Sequence, residues 1–491
     1  RRVVERRPIR ARRAGAWLRL RRWAARQPAL ATGLAVLLFS LVSGLLWTAA
    51  MLQDAQRLTT AMTALLHNLD PLVPPIAQAE ETALLRQLAG GDRERSVPDT
   101  EQAHGLWHVL GAKLCVEGRL IEARQALARA IALRTQLLGP GDPQTLHSRY
   151  VDAACLEWTG DLAGAEATYA AVLAGQRASL GETHWATVRT MENLLHLSLD
   201  RHRADEALLA RITALRRSAT EVPGNELSWQ QAKGRMLLVQ GHIDAAIGQL
   251  RSTLAERQRR LGVENLATLT TMRSLARALA LRVETRDEAR DVFERALELR
   301  RRTQWQGEPG VLELRIGLAE LALASGDAAR CRRELDAVFA NADENLQPFS
   351  PILLTARSCH ADQLLADGHG EGARASFADV LRQSQARLGE PHPIVLRAHL
   401  GLARCALQRG DVETARAHYD RAAAAADAMP HEHWLRQCCR AAFGGFLAEH
   451  GDEQRARALL DEARASLTTT LGSSHPQTRA CVAALAELDR R

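Results

Sequence analysis

The stretch GDLAGAEATYAAVLAGQRASLGETHWAT, residues 160–187, contains both sequence features that predict the fold. Its first part places a small residue, Ala165, five positions after the turn glycine Gly160, and apolar residues follow at helical spacing. The second part, LGETHWAT, combines a helix-ending Leu-Gly pair with a polar segment that precedes the next apolar run. Together they predict one helix between Gly160 and Gly181, followed directly by another.

Both features recur with a period of about 42 residues. The glycines of the Leu-Gly segments are Gly139, Gly181, Gly262, Gly389 and Gly472. The small residues that follow the turns are 39 to 43 positions apart and number nine: Ala123, Ala165, Ala207, Ala246, Ala289, Cys331, Ala373, Ala415 and Ala456. One hairpin of two amphipathic helices cannot bury its apolar stripe alone. We therefore predict an all-α solenoid of about nine stacked helix hairpins.

The turn glycine, the small residue five positions later and the alanine after it resemble the tetratricopeptide repeat. The 42-residue period and the LG-x2-HP-x-T segment resemble the longer, kinesin-light-chain type of that family, over residues 97–491. The resemblance implies that the first helix of each hairpin faces a concave groove for a protein or peptide ligand. Departures from the pattern are His202 and Glu284 at the turn glycine and Cys331 at the small residue.

The groove positions of the family, transferred by their offset from the turn glycine, predict binding residues in this chain. Several of them are arginine, which suits an acidic peptide through bidentate hydrogen bonds. The alternative is that each is an ordinary solvated helix residue. The predicted groove residues are His108, Tyr150, Arg189, Glu192, Gln231, Arg235, Arg397 and Arg404.

Positive charge is concentrated at the front of the chain. Residues 1–26 carry eleven arginines and one acid, Glu5. The net charge of +7 therefore comes from this segment, and the rest of the chain is mildly acidic. This distribution argues against a nucleic-acid partner. The uncharged run 27–53 is long enough to cross a bilayer as one helix. From the positive-inside rule we expect a single-pass protein of the bacterial inner (cytoplasmic) membrane, with a cytoplasmic N-terminus and an extracytoplasmic repeat array.

Five segments follow from these features. They are a basic juxtamembrane segment, a transmembrane helix, a helical stalk, the repeat array and a C-terminal capping helix, at residues 1–26, 27–53, 54–96, 97–470 and 471–491. The order of the first segments resembles the C-terminal part of bacterial transmembrane serine/threonine kinases, which implies a kinase domain upstream of Arg1. The alternatives are a membrane-anchored scaffold without a kinase, and a soluble tetratricopeptide regulator of transcription whose apolar segment is buried.

The sequence predicts no catalytic, cofactor or metal site. It contains no kinase motif, and His431-Glu432-His433 with Cys438-Cys439 lacks the spacing of a zinc site. GHGEG, residues 368–372, resembles a phosphate loop but lies on a repeat turn without a following Gly-Lys-Ser/Thr. Five of the eight cysteines lie in apolar helical patterns and are expected to be small core residues: Cys115, Cys155, Cys331, Cys405 and Cys481.

Overall fold

The computed structural model describes residues 23, 25–27 and 101–491, except 117–118, 202–204, 219–225, 302–308, 343–345 and 390–391. The chain divides into two units after Leu66, and the residues described from 101 onward belong to the second unit. In the described part of the second unit, the regular structure is nineteen α-helices and one short 3₁₀-helix, without strands. The all-α repeat solenoid predicted from the sequence is therefore confirmed.

The helices pair into nine hairpins, and a single helix follows the ninth. The first helices of the hairpins are α1 (Glu101–Val116), α3 (Pro143–Thr159), α5 (Trp185–Asp200), α7 (Glu226–Val239), α9 (Leu266–Ala280), α11 (Pro309–Ala324), α13 (Pro351–Ala366), α15 (Pro393–Gln408) and α17 (Trp434–Glu449). The second helices are α2 (Leu120–Leu137), α4 (Leu162–Ser179), α6 (Glu206–Ser218), α8 (Ile243–Leu261), α10 (Arg286–Arg301), α12 (Ala328–Ala342), α14 (Gly370–Leu388), α16 (Val412–Asp427) and α18 (Glu453–Thr470). The single last helix is α19 (Pro476–Arg490).

The Leu-Gly segments end one hairpin and start the next through specific local contacts. Gly181, just beyond α4, has a φ of +86°, a left-handed conformation that costs a glycine little. His184 then caps α5, because its Nδ1 accepts a hydrogen bond from the backbone N of Ala186 at 3.2 Å. Thr187 closes the segment by donating from Oγ1 to the carbonyl oxygen of Gly181 at 2.8 Å. The motif therefore ends one helix and begins the next within a few residues.

The same cap recurs with other residues at the position of His184. Their side chains also accept a hydrogen bond from the backbone N two positions later, and they are Asp142, Asn265, His392, His433 and His475. Aspartate, asparagine and histidine are interchangeable here because each offers an acceptor atom at a similar distance from the backbone. Histidine fills the role only while its Nδ1 is unprotonated.

Within a hairpin, the turn glycine and the small residue bring the two helices together. Gly160 has a φ of +90°, and Asp161 caps α4 by accepting a hydrogen bond from the backbone N of Gly164 at 3.0 Å. Ala165 is completely buried, and the equivalent residue is buried in every hairpin except the third. In that hairpin Ala207 is exposed and the neighbouring Leu208 packs on the core instead. The repeat register is therefore shifted by one residue there.

Contacts between hairpins five positions apart show that five hairpins make one turn of the superhelix. Each contact joins a hairpin turn, or the end of its first helix, to the loop that precedes a first helix on the next superhelical turn. We call this set of contacts the seam. It joins residues about 190 positions apart and consists of Thr159–Gln347, His242–Glu432 and Glu284–Ser474.

A hydrophobic cluster continues across the seam. Tyr150 and Tyr169 of the second hairpin pack in one cluster with Leu354 and Val380 of the seventh. Glu284 replaces a turn glycine, and its side chain accepts the seam hydrogen bond from Ser474 that a glycine could not accept. This departure from the repeat pattern therefore has a structural role.

The structure overturns the predicted single-pass location in the bacterial inner membrane with an extracytoplasmic array. Across the described ranges, no helix is both long and apolar enough to cross a membrane. The longest helices there, α8 and α14, have 19 residues and carry charged side chains on their solvent-facing sides. The predicted transmembrane helix at 27–53, like the segments 1–26 and 54–96, lies outside the described residues apart from 23 and 25–27.

Candidate protein-binding groove

The first helices bring a row of charged side chains together along the inner face of the solenoid. Arg235 on α7, for example, forms an ion pair with Asp200 on α5, the first helix of the preceding hairpin. We call this row the charge ladder. Its members are Asp200, Arg235, Arg273, Glu313, Glu320, Asp362, Arg397 and Arg404.

The ladder also shows how tightly the inner face is curved. Arg397 on α15 reaches Glu320 on α11 at 2.7 Å, although α13 lies between them in the repeat order. Its guanidinium lies 3.6 Å from Asp362 on α13, which in turn pairs with Arg404 on α15. Side chains from three successive first helices therefore meet at one place.

A polar cluster at α3 and α5 continues the ladder toward the front of the array. Asn193 donates from Nδ2 to the hydroxyl of Tyr150 at 2.8 Å and to that of Tyr169 at 3.0 Å. Tyr169 donates in turn to the carboxylate of Glu157 at 3.4 Å. The guanidinium of Arg189 lies 5.2 Å from the ring centre of Tyr150, in cation–π geometry.

Enclosure of the inner face shifts the pKa values of its groups. Burial, reinforced by the nearby charge of Asp200, raises the pKa of Glu157 to about 8. Burial, reinforced by Arg235, lowers the pKa of His196 to about 3. Burial also disfavours the charged form of Arg273 and lowers the pKa of its guanidinium to about 10. The surroundings are therefore poorly solvated, so a charged ligand group would interact there more strongly than in water.

The structure places the predicted groove residues in two environments. Four of them are buried among the helices: His108, Tyr150, Glu192 and Gln231. The other four are at least partly accessible and contact groups within the chain: Arg189, Arg235, Arg397 and Arg404. Of the predicted groove residues, only the four arginines are therefore accessible to a ligand.

Sequence reasoning missed a buried arginine that fastens consecutive hairpins. Arg257 on α8 donates from Nη1 to the carbonyl oxygen of Ala267, at the start of α9, at 2.6 Å. Arg134 makes the equivalent bond to the carbonyl oxygen of Gln144 at 2.8 Å. Both arginines, and Arg300, lie eleven positions after the small residue of their hairpin. This shared position in the repeat is the sequence feature from which these arginines could have been predicted.

The residues with metal-ligand side chains near position 431 have separate roles. His433 caps α17, His431 lies 2.8 Å from a carboxylate of α18, and Glu432 belongs to the seam. Cys438 and Cys439 are buried within α17. No group of three or more His, Cys, Asp or Glu in the described part of the chain is arranged to hold a metal ion.

The segment 368–372 consists of a hairpin turn and the first residues of α14. Gly368 has a φ of +82°, and Glu371 pairs with Arg374 at 2.9 Å. An open cavity of about 700 Å³ beside it is lined by Arg374, Arg382 and Arg409 among others. Each of these arginines pairs with an acid of its own or a neighbouring helix. The residues of the segment 368–372 therefore form the turn and the start of α14, and its acid Glu371 pairs with two of the arginines.

The turns, caps and stacked hairpins define the described chain as a helical-repeat solenoid. The family model for the tetratricopeptide repeat matches residues 110–144 and 268–303. These ranges cover most of the first and fifth hairpins. The chain therefore contains tetratricopeptide repeats, as the resemblance of its sequence implied. A search of curated proteins finds no match.

Several solved structures are similar in their repeats. The kinesin light chain TPR-like repeats of Podosopora anserina are 22% identical, with a TM-score of 0.30 over 40% of this chain and 95% of that one. A Rap protein complexed with competence and sporulation factor is 15% identical, with a TM-score of 0.42 over 62% and 87%. The apo quorum sensor NprR from B. thuringiensis is 14% identical, with a TM-score of 0.41 over 70% and 98%.

The comparisons do not support the resemblance to transmembrane kinases. The matched family model covers helical repeats alone. The arginine-rich and apolar segments on which that resemblance rested, within 1–53, lie outside the described residues apart from 23 and 25–27.

Proposed function

We propose that the array binds a protein segment in the groove on its inner face and acts as a non-catalytic scaffold or sensor. The observation that carries this proposal is the charge ladder, in which successive first helices present charged groups to one another. Arg397 illustrates it, because one guanidinium is shared between Glu320 and Asp362 on two other hairpins. Such a shared, poorly solvated surface suits a narrow ligand that touches several hairpins at once.

The arginines of the ladder favour an acidic ligand segment. A guanidinium has five N–H donors, so an arginine that already pairs with one carboxylate can accommodate a second. Arg404 is the best placed for this, because 49% of its side chain is exposed while it pairs with Asp362. Arg189 and Arg235 extend the same surface toward the front of the array. In this proposal the four buried groove residues position the arginines, as Tyr150 does for Arg189.

Coupling of this array to a serine/threonine kinase stays a prediction from the layout of residues 1–53. Sequencing the coding region upstream of Arg1 tests that prediction separately. The groove proposal does not depend on its outcome.

A display library of short random peptides, selected on the full chain, tests the groove proposal. We expect the enriched peptides to be acidic and to bind the Arg404→Glu variant about tenfold more weakly or worse. The matched control is Arg382→Glu, on the second helix α14, where 78% of the side chain is exposed. Peptides that bind wild type and both variants equally would rule out the groove as the binding surface.

A further inference from the structure

Two buried cysteines face each other between the first two hairpins. Cys115 lies on α1 and Cys155 on α3, and their sulfur atoms are 2.7 Å apart. Both thiols are almost completely inaccessible to solvent, with 4% and 0% of their surface exposed. A covalent S–S bond is about 2.05 Å long, so the two sulfurs need to move only a fraction of an ångström to bond.

We propose that Cys115 and Cys155 are an oxidisable dithiol, which a peroxide converts into a disulfide that fastens the first hairpin to the second. In the first step one thiol attacks hydrogen peroxide and becomes a sulfenic acid, with release of one water. In the second step the other thiol attacks that sulfur, the S–S bond forms and a second water leaves. The two thiols lose two protons and two electrons, and the peroxide is reduced to two waters.

The surroundings determine how fast this reaction runs. The hydrogen bond between the two thiols, together with burial, raises the pKa of Cys115 well above its usual value. Because the thiolate is the reactive form, the closed structure protects the pair. Oxidation therefore proceeds through transient separation of α1 and α3, and the disulfide then prevents that separation. The pair is therefore a lock between α1 and α3 that forms slowly, whereas an exposed sensor thiol is oxidised rapidly.

The cysteine pair lies on the same two helices as two predicted groove residues. His108 is on the same helix as Cys115, and Tyr150 is on the same helix as Cys155. Fixing α1 to α3 therefore fixes the spacing of these two groove positions. This consequence rests on the proposed binding function, whereas the formation of the disulfide does not.

The repeat itself provides a matched control. Cys405 lies ten residues before the small residue of its hairpin, as Cys155 does, and it is also buried. The position that corresponds to Cys115 in the preceding hairpin is Leu365, and both belong to one hydrophobic cluster. Cys405 therefore occupies the repeat position of Cys155, with a leucine in place of the partner thiol.

Peptide mapping after oxidation tests the proposal. The full chain is treated with hydrogen peroxide, denatured, alkylated with N-ethylmaleimide and digested for mass spectrometry. We expect a cross-linked peptide pair containing Cys115 and Cys155, with a mass loss of two hydrogens, while Cys405 is recovered alkylated. Recovery of Cys115 and Cys155 as alkylated thiols, or as separate sulfinic acids, would overturn the proposal.

Two variants make the assignment specific. In Cys115→Ser the cross-link should disappear, and in Leu365→Cys a new cross-link to Cys405 should appear, because it recreates the facing pair. Amide hydrogen exchange in α1 and α3 should be about tenfold slower in the oxidised wild type than in the reduced protein. Equal exchange in the two forms, despite a mapped disulfide, would contradict the locking role.

Discussion

Glu284 accepts a hydrogen bond from the hydroxyl of Ser474, which lies 190 positions later in the chain. The bond joins the turn of the fifth hairpin to the loop before α19, one superhelical turn away. It also holds the pKa of Glu284 below its usual range, with Ser474 as the main cause. The carboxylate is solvent-exposed. The bond therefore contributes more to holding the two sides of the seam together at this point than to the free energy of unfolding of the whole array.

Replacing Glu284 by glycine, the usual residue at this turn, should open the seam locally. We expect faster amide exchange around residues 472–475 and a change in unfolding free energy of no more than about 1 kcal/mol. Glu298→Ala, an exposed acid on the same hairpin, serves as the control and should leave that exchange unchanged. Indistinguishable exchange in the two variants would contradict the seam contact.

The histidine caps should make the fold sensitive to acid. Burial lowers the pKa of His433 and of His392 to about 4, whereas an unfolded histidine titrates near 6.5. Since the folded pKa is the lower one, the stabilisation is complete above about pH 6.5 and is lost as pH falls toward 4. The loss should be on the order of 2–3 kcal/mol per histidine.

His433→Asn provides the test of that prediction, because Asn265 makes the same cap in the fifth hairpin. The variant should keep its stability at pH 7 and lose less of it between pH 6.5 and 4, as measured by urea unfolding at several pH values. The same pH dependence in wild type and variant would show that this cap is not the acid-sensitive group.

Glu157 should have the opposite pH dependence. Its folded pKa of about 8 lies above the unfolded value, so the unfolded chain releases the proton first and stability falls as pH rises from about 4.5 to 8. Glu157→Gln keeps an acceptor for Tyr169 and should be more stable than wild type by roughly 1–2 kcal/mol at pH 8. Thermal unfolding at pH 5 and pH 8 measures the difference, which should nearly vanish at pH 5.

Arg257→Met should be among the more destabilising single changes in the array. It leaves the carbonyl oxygen of Ala267 and the hydroxyl of Thr271 without their guanidinium donor in a buried place. We expect a loss of roughly 2–4 kcal/mol in unfolding free energy, measured by urea denaturation. Arg259→Met, two positions on and 69% exposed, should leave the unfolding free energy nearly unchanged. A similar loss of unfolding free energy in both variants would contradict the role of Arg257 in fastening consecutive hairpins.

The repeat unit could be predicted from the sequence because its determinants are local. The conformation of Gly160 and the cap at His184 depend only on residues a few positions away, so a period of about 42 residues was enough to place the hairpins. The register shift in the third hairpin was not visible, because Ala207 and Leu208 both fit the apolar pattern. Only packing decides which of them is buried.

The environment of the candidate groove residues could be predicted only in part. Offsets from the turn glycine placed Arg235 and Arg397 on the inner face, but their partners come from other hairpins. Periodicity assigns a residue to a face of its helix and says nothing of depth, so the burial of Gln231 and Glu192 could not be foreseen. Glu284 stood out as a departure from glycine, and its role depended on a residue 190 positions away.

The seam changes how the array should fold. A solenoid in which each repeat touches only its neighbours can nucleate at any repeat and lose its ends one repeat at a time. Here Thr159 is bonded to Gln347 and Glu284 to Ser474, so completing the native structure requires closing loops of nearly two hundred residues. Closing such long loops slows folding, and the contacts couple hairpins that are five repeats apart into one cooperative unit.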